Sequence, residues 1–255
     1  MKFSIVTCTW NSEPYLAQSI ASVLGQDYPD IEYIFVDGGS TDGTLERIRS
    51  VPRPVKLLRD VRGGISRAMN EGIAAASGDV IAHLHSDDYY LHPRVLSRVC
   101  AALTGTARKW AVGGCLPVRD GKLQPAAPRR WTYSHFNFLT ARIHIPHPAL
   151  FVRREVWQEV GVFDETVRWA MDIDLCLRMA RKYDPVVLDE DLAAFREHAG
   201  SSSTANAWVA KTEEMRVRRK YALLHPLATS IGLARCWVRR RRLLRHYSPS
   251  GSASP

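Results

Sequence analysis

Residues 77–90 read SGDVIAHLHSDDYY, in which an apolar strand runs directly into two adjacent carboxylates, Asp87 and Asp88. In open α/β folds, ligands bind at the edge of the sheet where such strands end. Neighbouring carboxylates repel each other unless a cation lies between them or one of them is protonated. A divalent ion bound together with an anionic ligand such as a diphosphate would remove this repulsion. The alternative is a solvated turn at a helix N-terminus, and this segment alone leaves both interpretations open.

The residues upstream predict a parallel sheet. Residues 2–9 (KFSIVTCT) and 31–37 (IEYIFVD) have the composition of buried strands. Between them, residues 13–24 carry apolar side chains at helical spacing, after a suitable N-cap at Asn11 or Ser12. A strand, a helix and a second strand form a βαβ unit, in which the strands are parallel and the crossover is right-handed.

The second predicted strand ends at Asp37, and the sequence GGSTDGT follows it at residues 38–44. Glycines let the backbone approach a ligand closely, and Ser40 or Asp42 can cap the next helix. An acid at the carboxyl end of a strand, just before a helix, is well placed to hydrogen-bond a nucleoside. A simple tight turn explains the same residues, so this motif is not specific by itself.

Motifs of one known family occur in order between residues 4 and 203. They are SIVTCTWNSEPYL (4–16), VDGGSTDGT (36–44), GGISRAMNEGIAAASGDVIAHLHSDD (63–88), HPALFVRREVWQEVGVFDE (147–165), MDIDLCLRM (171–179) and REHAGSSS (196–203). By this ordered series the chain resembles the family 2 glycosyltransferases. The resemblance implies the GT-A fold, an α/β, Rossmann-like architecture with a mostly parallel central sheet between helices. It also implies an inverting, metal-dependent transfer of a sugar from a nucleotide-sugar donor.

Two positions depart from the family pattern. The family often has a second acid directly after the position of Asp37, where it contacts the donor base, and this chain has Gly38. The family's metal motif often begins with an acid two residues before Asp87, and here that residue is His85. The departures leave open how the base is recognised and how Asp87 and Asp88 divide the metal between them.

The resemblance implies two binding sites. The residues expected at the nucleotide-sugar are Thr9, Trp10, Asn11, Asp37, Arg67, Asn70 and Asp87. The residues expected at a divalent metal, Mn²⁺ or Mg²⁺, are Asp87, Asp88 and His198. Neutral imidazole is a good ligand for Mn²⁺ and a poor one for Mg²⁺. Structural roles remain alternatives: a core position for Trp10, and surface capping for Arg67 and Asn70. His147, before Pro148 in a predicted acceptor-side loop, is expected to be structural.

Asp172 is the expected catalytic base, because relatives have an acid here that is followed six residues later by an arginine, as Arg178 is in this chain. Asp172 lies near the start of a predicted, partly buried helix, so a capping role is the alternative, and Asp174 is the competing carboxylate. A carboxylate is a weak base in water, but it can take the proton as bond formation acidifies the hydroxyl, contributing about 10²–10⁴-fold.

Composition agrees with one α/β domain and a short appendage. The chain has 255 residues, of which 45% are hydrophobic, enough for a full core. Five scattered cysteines without a CxxC pair predict a reduced, cytosolic chain that has no disulfide framework or structural zinc site. A strand that begins by residue 3 leaves no room for a signal peptide.

The net charge of +9 is concentrated near the C-terminus, where residues 216–245 contain ten Lys or Arg and no acid. An interleaved apolar stretch at 221–238 is too polar to predict a spanning helix. A basic, apolar, Trp-containing segment is typical of interfacial attachment to an anionic cytoplasmic leaflet. A basic helix packed on the domain is the alternative. A nucleic-acid partner is not expected, since no binding motif accompanies the cluster.

We therefore predict a catalytic domain at residues 1–205, a basic amphipathic helical extension at 206–247 and a disordered tail at 248–255. The expected function is transfer of a sugar to a lipid-linked acceptor in polysaccharide or glycolipid biosynthesis, at the cytoplasmic face of the inner membrane. A nucleotidyltransferase is the first alternative, although residues 9–15 (TWNSEPY) lack the glycine and the basic residue of its phosphate loop. A noncatalytic binding module is the second.

Overall fold

The computed structural model describes residues 1–125, 132–198 and 207–246. The predicted tail at 248–255 and the predicted domain boundary at 205/206 lie outside these residues. Within them, nine strands form a single sheet. The strands are β1 Phe3–Thr9, β2 Ile31–Asp37, β3 Lys56–Leu58, β4 Val80–His83, β5 Tyr89–Tyr90, β6 Trp110–Arg119, β7 Lys122–Leu123, β8 Leu150–Arg153 and β9 Val186–Arg196.

The helices flank this sheet. They are α1 Glu13–Leu24, α2 Thr44–Arg49, α3 Ile65–Ala75, α4 Val95–Leu103, α5 His135–Leu139, α6 Arg154–Val160, α7 Met171–Lys182, α8 Ala207–Arg219 and α9 Pro226–His246, with a 3₁₀ turn at His147–Ala149. Among the described residues, no helix has both the length and the apolarity that crossing a membrane requires.

One half of the sheet is parallel, as the sequence predicts. Its strand order is β3-β2-β1-β4, and all three pairings are parallel. All seven residues of β1 are buried, because helices cover both faces of the sheet. Consecutive side chains of a strand point to opposite faces, and accordingly Ile5 and Val6 belong to different hydrophobic clusters. The predicted βαβ unit is confirmed.

The other half of the sheet is mixed, which the βαβ pattern did not anticipate. β8 pairs antiparallel with both β4 and β6, while β6 and β9 are parallel. The short β5, directly after the acidic pair, runs antiparallel to the end of β9. This pairing brings residues 87–90 next to residues 193–198, which are more than a hundred positions away in the sequence.

The two C-terminal helices pack on the α/β part of the chain. Val217 of α8, together with Tyr221 and Ala228, belongs to the same hydrophobic cluster as α3, α5, α6 and α7. Gly232 of α9 lies so close to α5 that a Cβ atom there would be 2.1 Å from the carbonyl oxygen of Leu139. The described part of the extension therefore shares its core with the domain that it follows.

Candidate active site

Asp37 organises the loop after β2. One of its carboxylate oxygens accepts hydrogen bonds from the backbone N–H groups of Gly39 (3.0 Å) and Ser40 (2.9 Å). The other accepts from the hydroxyls of Thr9 (2.8 Å) and Ser40 (2.6 Å). Because Asp37 is only 1% exposed, this carboxylate and Thr9 shape the loop from beneath rather than lie open to solvent.

Trp10 and Asn11 lie at the surface above this loop. Trp10 is 72% exposed, and its indole lies beside Gly38. A core role for Trp10 is therefore wrong in this structure, and the open ring face is free to stack on a planar ligand. Asn11 has a positive φ of 48°. Its backbone N–H donates to the Ser40 hydroxyl (2.9 Å), and its side-chain oxygen accepts from the N–H of Thr41 (2.9 Å).

The two expected ligand residues of α3 have different environments. Arg67 is exposed and lies against Gly63, at the glycine pair that precedes the helix. Asn70 is tied to the loop after α6: its amide donates to the carbonyl of Phe163 (3.0 Å) and to Glu165 (3.0 Å), and its oxygen accepts from the Phe163 N–H (3.0 Å). Asn70 thus holds two segments of the protein together, whereas Arg67 remains available to a ligand.

The acidic pair after β4 is divided between two roles. Asp87 is part-exposed, and its carboxylate lies 3.0 Å from Nε2 of His198. Asp88 is 1% exposed and accepts from the backbone N–H of Arg196 (3.2 Å). Burial, and then the charge of Asp87, raise the pKa of Asp88 well above its usual range, although Arg196 opposes the shift. The structure thus presents Asp87, and not Asp88, to His198.

Arg196 connects the Asp87 loop to α1 at this edge of the sheet. It was not predicted from the sequence as a site residue. Its Nε donates to the backbone carbonyl of Asp87 (3.2 Å), and its guanidinium lies 4.6 Å from the ring centroid of Tyr15. The same ring is 4.8 Å from the imidazole of His198. The available signal was its place in the REH triplet that contains His198.

The two candidate bases both lie in the first turn of α7, but they have different environments. Asp174 is buried and neutralised by Arg178 (2.9 Å) and by Lys220 (2.9 Å). Asp172 lines a cleft with His144, whose Nε2 is 3.9 Å from its carboxylate. Burial raises the pKa of Asp172, and the nearby His144 partly opposes this shift. Asp172 therefore lines a small pocket, where one of its oxygens accepts from the backbone N–H of Ile173 (2.8 Å), whereas Asp174 is held in ion pairs with Arg178 and Lys220.

A part-buried histidine stack lies near both acidic centres. The rings of His85 and His147 are parallel, with centroids 5.2 Å apart. Burial lowers the pKa of His85, and the negative charges of Asp87 and Asp172 both act against that shift. Both carboxylates are therefore within electrostatic reach of one imidazole. His147 is part-buried in this stack, where desolvation lowers its pKa well below the usual range.

Two side chains at the acidic edge of the sheet suit a divalent metal. No group of three or more His, Cys, Asp or Glu side chains within residues 1–125, 132–198 and 207–246 is arranged to hold an ion. Asp87 and His198 do form a close carboxylate–imidazole pair, which is a suitable set for Mn²⁺. Asp87 and His198 are thus the two side chains of this site that could hold a metal, which would need its remaining ligands from a bound anion.

Comparisons with known proteins identify the family of this chain and structures that share its fold. The sequence model described as glycosyl transferase family 2 matches residues 4–161. The chain is similar to an uncharacterized glycosyltransferase of Mycobacterium tuberculosis, with 30% identity over 190 residues that cover 72% of this chain and 71% of the relative.

Two solved structures share the fold. TarS of S. aureus (residues 1–349) in complex with UDP superposes with a TM-score of 0.68 at 21% identity, covering 85% of this chain and 65% of that chain. A mannosyltransferase of Pyrobaculum calidifontis in complex with GDP-Man and Mn²⁺ gives a TM-score of 0.63 at 16% identity, covering 97% of this chain and 81% of that chain. This chain thus spans less than two thirds of the TarS chain.

Proposed function

The chain belongs to the glycosyl transferase family 2 and has its GT-A fold, and we propose that it is an inverting, metal-dependent glycosyltransferase with Asp172 as the base. The proposal depends chiefly on the contrast between Asp172, which lines a cleft, and Asp174, which is paired with Arg178 and Lys220. The sugar donor is a nucleotide-sugar and the acceptor is a hydroxyl group.

In the proposed reaction, Asp172 takes the proton from the acceptor hydroxyl while the oxygen of that hydroxyl attacks the anomeric carbon of the donor. The new C–O bond forms on the face opposite the bond to the diphosphate. That second bond breaks, the diphosphate leaves with its electron pair, and the anomeric configuration inverts. A carboxylate is a stronger base when its pKa is raised, and burial of Asp172 acts in this direction. His144 then lies beside the newly protonated carboxyl group.

On the donor side, the exposed indole of Trp10 stacks on the base and Arg67 meets ribose or phosphate, while Thr9, Asn11 and Asp37 shape the loop beneath them. Asp87 and His198 would hold the metal, whose positive charge neutralises the departing diphosphate when it is bound. The Pyrobaculum mannosyltransferase, which shares the fold, was solved with GDP-Man and Mn²⁺. TarS was solved with UDP, so relatives of this fold accommodate either base.

We further propose that the acceptor is lipid-linked and that the protein attaches to the cytoplasmic face of the inner membrane through the α9 surface. This surface consists of the exposed residues Leu223, Leu224, Leu227, Trp237, Val238, Arg239, Arg241 and Arg242. Leu223 is 99% and Leu227 73% exposed, and no acidic residue occurs after Glu214. Exposed apolar side chains beside arginines complement an anionic bilayer, which supplies both hydrocarbon and negative charge.

A nucleotidyltransferase is less consistent with the site. The turn between β1 and α1 holds an exposed tryptophan and an asparagine with positive φ, not a glycine-rich loop with a basic residue. A noncatalytic module would not need a carboxylate kept free of ion pairing with Lys or Arg, as Asp172 is in the described structure.

The decisive experiment is turnover of purified protein with a panel of UDP- and GDP-sugars and Mn²⁺, followed by the Asp172→Asn variant. We expect kcat to fall by about 10²-fold or more, the scale of lost general-base assistance, while donor binding persists. Asp174→Asn is the matched control: it leaves Arg178 and Lys220 without their shared carboxylate, so we expect a lower melting temperature. A stable, inactive Asp174→Asn protein beside a fully active Asp172→Asn protein would reverse the assignment.

A further inference from the structure

The segment that leads into α7, the helix that carries the proposed base, is held from outside the helix. Its N-cap residue is Ala170, which has no side-chain hydrogen-bonding group. Backbone N–H groups at and before a helix start need an acceptor from elsewhere when no helix carbonyl precedes them. For residues 168–170 this acceptor comes from α8, which is part of the C-terminal extension.

Glu213 of α8 supplies this acceptor. One oxygen of its carboxylate accepts from the backbone N–H of Arg168 (3.0 Å). The other accepts from the N–H of Trp169 and from that of Ala170 (2.9 Å). Three consecutive N–H groups thus converge on one carboxylate, and negative charge at this end of a helix is also favoured by the helix dipole.

The segment that Glu213 holds is fixed on its other side as well. The Ser66 hydroxyl of α3 donates to the carbonyl of Val167 (3.2 Å), and Arg216 of α8 donates to that of Thr166 (3.1 Å). Asp172 follows only two residues after Ala170. Its position in the cleft is therefore set by a segment that is held between α3 and α8.

We infer that Glu213 is a positioning residue for the base: its carboxylate holds residues 168–170 and thereby places Asp172 in the acceptor cleft. The inference rests on the proposed role of Asp172. It gives α8 a part in catalysis, whereas the sequence predicts for this region either an interfacial membrane segment or a basic helix packed on the domain. Glu213 contacts backbone N–H groups of this segment and would act on the reaction through Asp172.

The test compares Glu213→Ala, Glu213→Gln and Val217→Ala in the full-length protein. Glutamine keeps one acceptor oxygen but turns an amide N–H towards the remaining donor, whereas alanine removes both acceptors. Val217 is a fully buried residue of the same helix that makes none of these hydrogen bonds, so Val217→Ala loosens the packing of α8 while leaving the Glu213 carboxylate in place.

We expect kcat to fall by about 10²-fold in Glu213→Ala, the cost of displacing a catalytic group by roughly 1 Å, and by less in Glu213→Gln. The KM for the donor should not change in either. Hydrogen exchange of the backbone amides at 168–173 should become faster in Glu213→Ala. Val217→Ala should have a lower melting temperature, but below that temperature its kcat should equal that of the wild type.

Two results would overturn the inference. One is unchanged hydrogen exchange at 168–173 in Glu213→Ala. The other is a loss of kcat in Val217→Ala as large as that in Glu213→Ala, because activity would then follow the stability of α8 and not the cap. Wild-type turnover by Asp172→Asn would instead overturn the proposed base, and the exchange measurement would still test the anchoring of the segment.

Discussion

At the scale of single residues, Asp87 and Asp88 are neighbours in sequence with opposite environments. Asp87 faces His198 at 3.0 Å, whereas Asp88 is buried against the backbone of Arg196. Since the pKa of Asp88 is raised well above its usual range, a neutral amide resembles its favoured state. Asp87, in contrast, forms half of the carboxylate–imidazole pair that suits a metal.

We expect Asp87→Asn to abolish the Mn²⁺-dependent part of nucleotide affinity, and His198→Gln to reduce it. Asp88→Asn should keep the fold and much of that affinity. Isothermal calorimetry with UDP and GDP, with and without Mn²⁺, measures these changes. Equal metal dependence in the wild type and in Asp87→Asn would show that the ion, if it binds, is held elsewhere.

Trp10 allows a test of the donor site that is independent of the metal. It is 72% exposed, so Trp10→Ala should leave the melting temperature nearly unchanged. Stacking of a base on an aromatic ring contributes about 1–3 kcal/mol, and the affinity for nucleotide should fall accordingly. Trp10→Phe, which retains a ring, is the matched control and should recover part of the loss. Wild-type affinity in Trp10→Ala would remove this residue from the donor site.

At the scale of elements, α8 contains a buried ion pair that connects the extension to the domain. Arg218 donates to Glu214 (2.5 Å) and to the backbone carbonyls of Phe138 and Leu139. Burial by itself would raise the pKa of the Glu214 carboxyl, but Arg218 and Lys211 lower it to about 2 from an ordinary value of 4.5. A carboxyl group whose pKa is lower in the folded state stabilises the fold above its unfolded pKa and loses this effect as the pH falls.

The Glu214→Gln variant should therefore be much less stable than the wild type at neutral pH, by about 3 kcal/mol or more, because Arg218 is left buried without its partner. The difference should shrink by roughly 2 kcal/mol between pH 5 and pH 3, where the unfolded wild-type chain takes up the proton. Denaturant unfolding at several pH values measures it. A difference that does not vary with pH would mean that the Glu214 charge contributes nothing to stability.

In the whole molecule, many basic side chains of the C-terminal extension form hydrogen bonds within the protein and do not point freely into solvent. Of the ten basic residues between 216 and 245, five donate hydrogen bonds to other residues within the part of the chain that the structure describes. They are Arg216, Arg218, Lys220, Arg235 and Arg240. The charge that remains for a membrane is concentrated in the arginines of the α9 surface, where Arg241 also lies 3.9 Å above the ring of Trp237.

We expect the full-length protein to co-sediment with anionic phospholipid vesicles at low salt. Replacing Arg239, Arg241 and Arg242 by Gln should remove the salt-sensitive part of binding, since each basic side chain contributes about 1 kcal/mol near the surface. The Leu223→Ser/Leu227→Ser double variant should remove the salt-resistant part. Arg47→Gln/Arg49→Gln, in the exposed part of α2, is the control and should bind normally.

Point substitutions are preferable to truncation here, because removing α8 would also remove Val217 from the core and Glu213 from the start of α7. A full-length protein that remains in the supernatant with anionic vesicles at low salt would exclude the membrane proposal. The arginines of the α9 surface would then be solvated charges on a packed helix.

Helices and strands whose sequence patterns lie within a few residues of each other could be predicted from the sequence alone. β1, α1 and β2 have the predicted bounds to within a residue, because strand composition, helical spacing and a terminating glycine-rich turn all lie within a few positions of one another. The order of the motifs also singled out Asp172, Asp87 and His198, and the last two lie 3.0 Å apart in the structure.

The hydrogen-bond and ion-pair partners of the site residues could be identified only in the folded chain. Three hydrogen-bonded pairs show this, because no periodicity connects residues so far apart. They are Arg196 with Asp88, 108 positions apart, Asn70 with Phe163, 93 apart, and Glu213 with Ala170, 43 apart. The same holds for the ionic pairing of Asp174, which distinguishes it from Asp172 although both are acids on one helix. Local patterns specify which elements form, whereas burial and charge neutralisation arise where distant segments meet, and it is there that a carboxylate becomes either structural or available for chemistry.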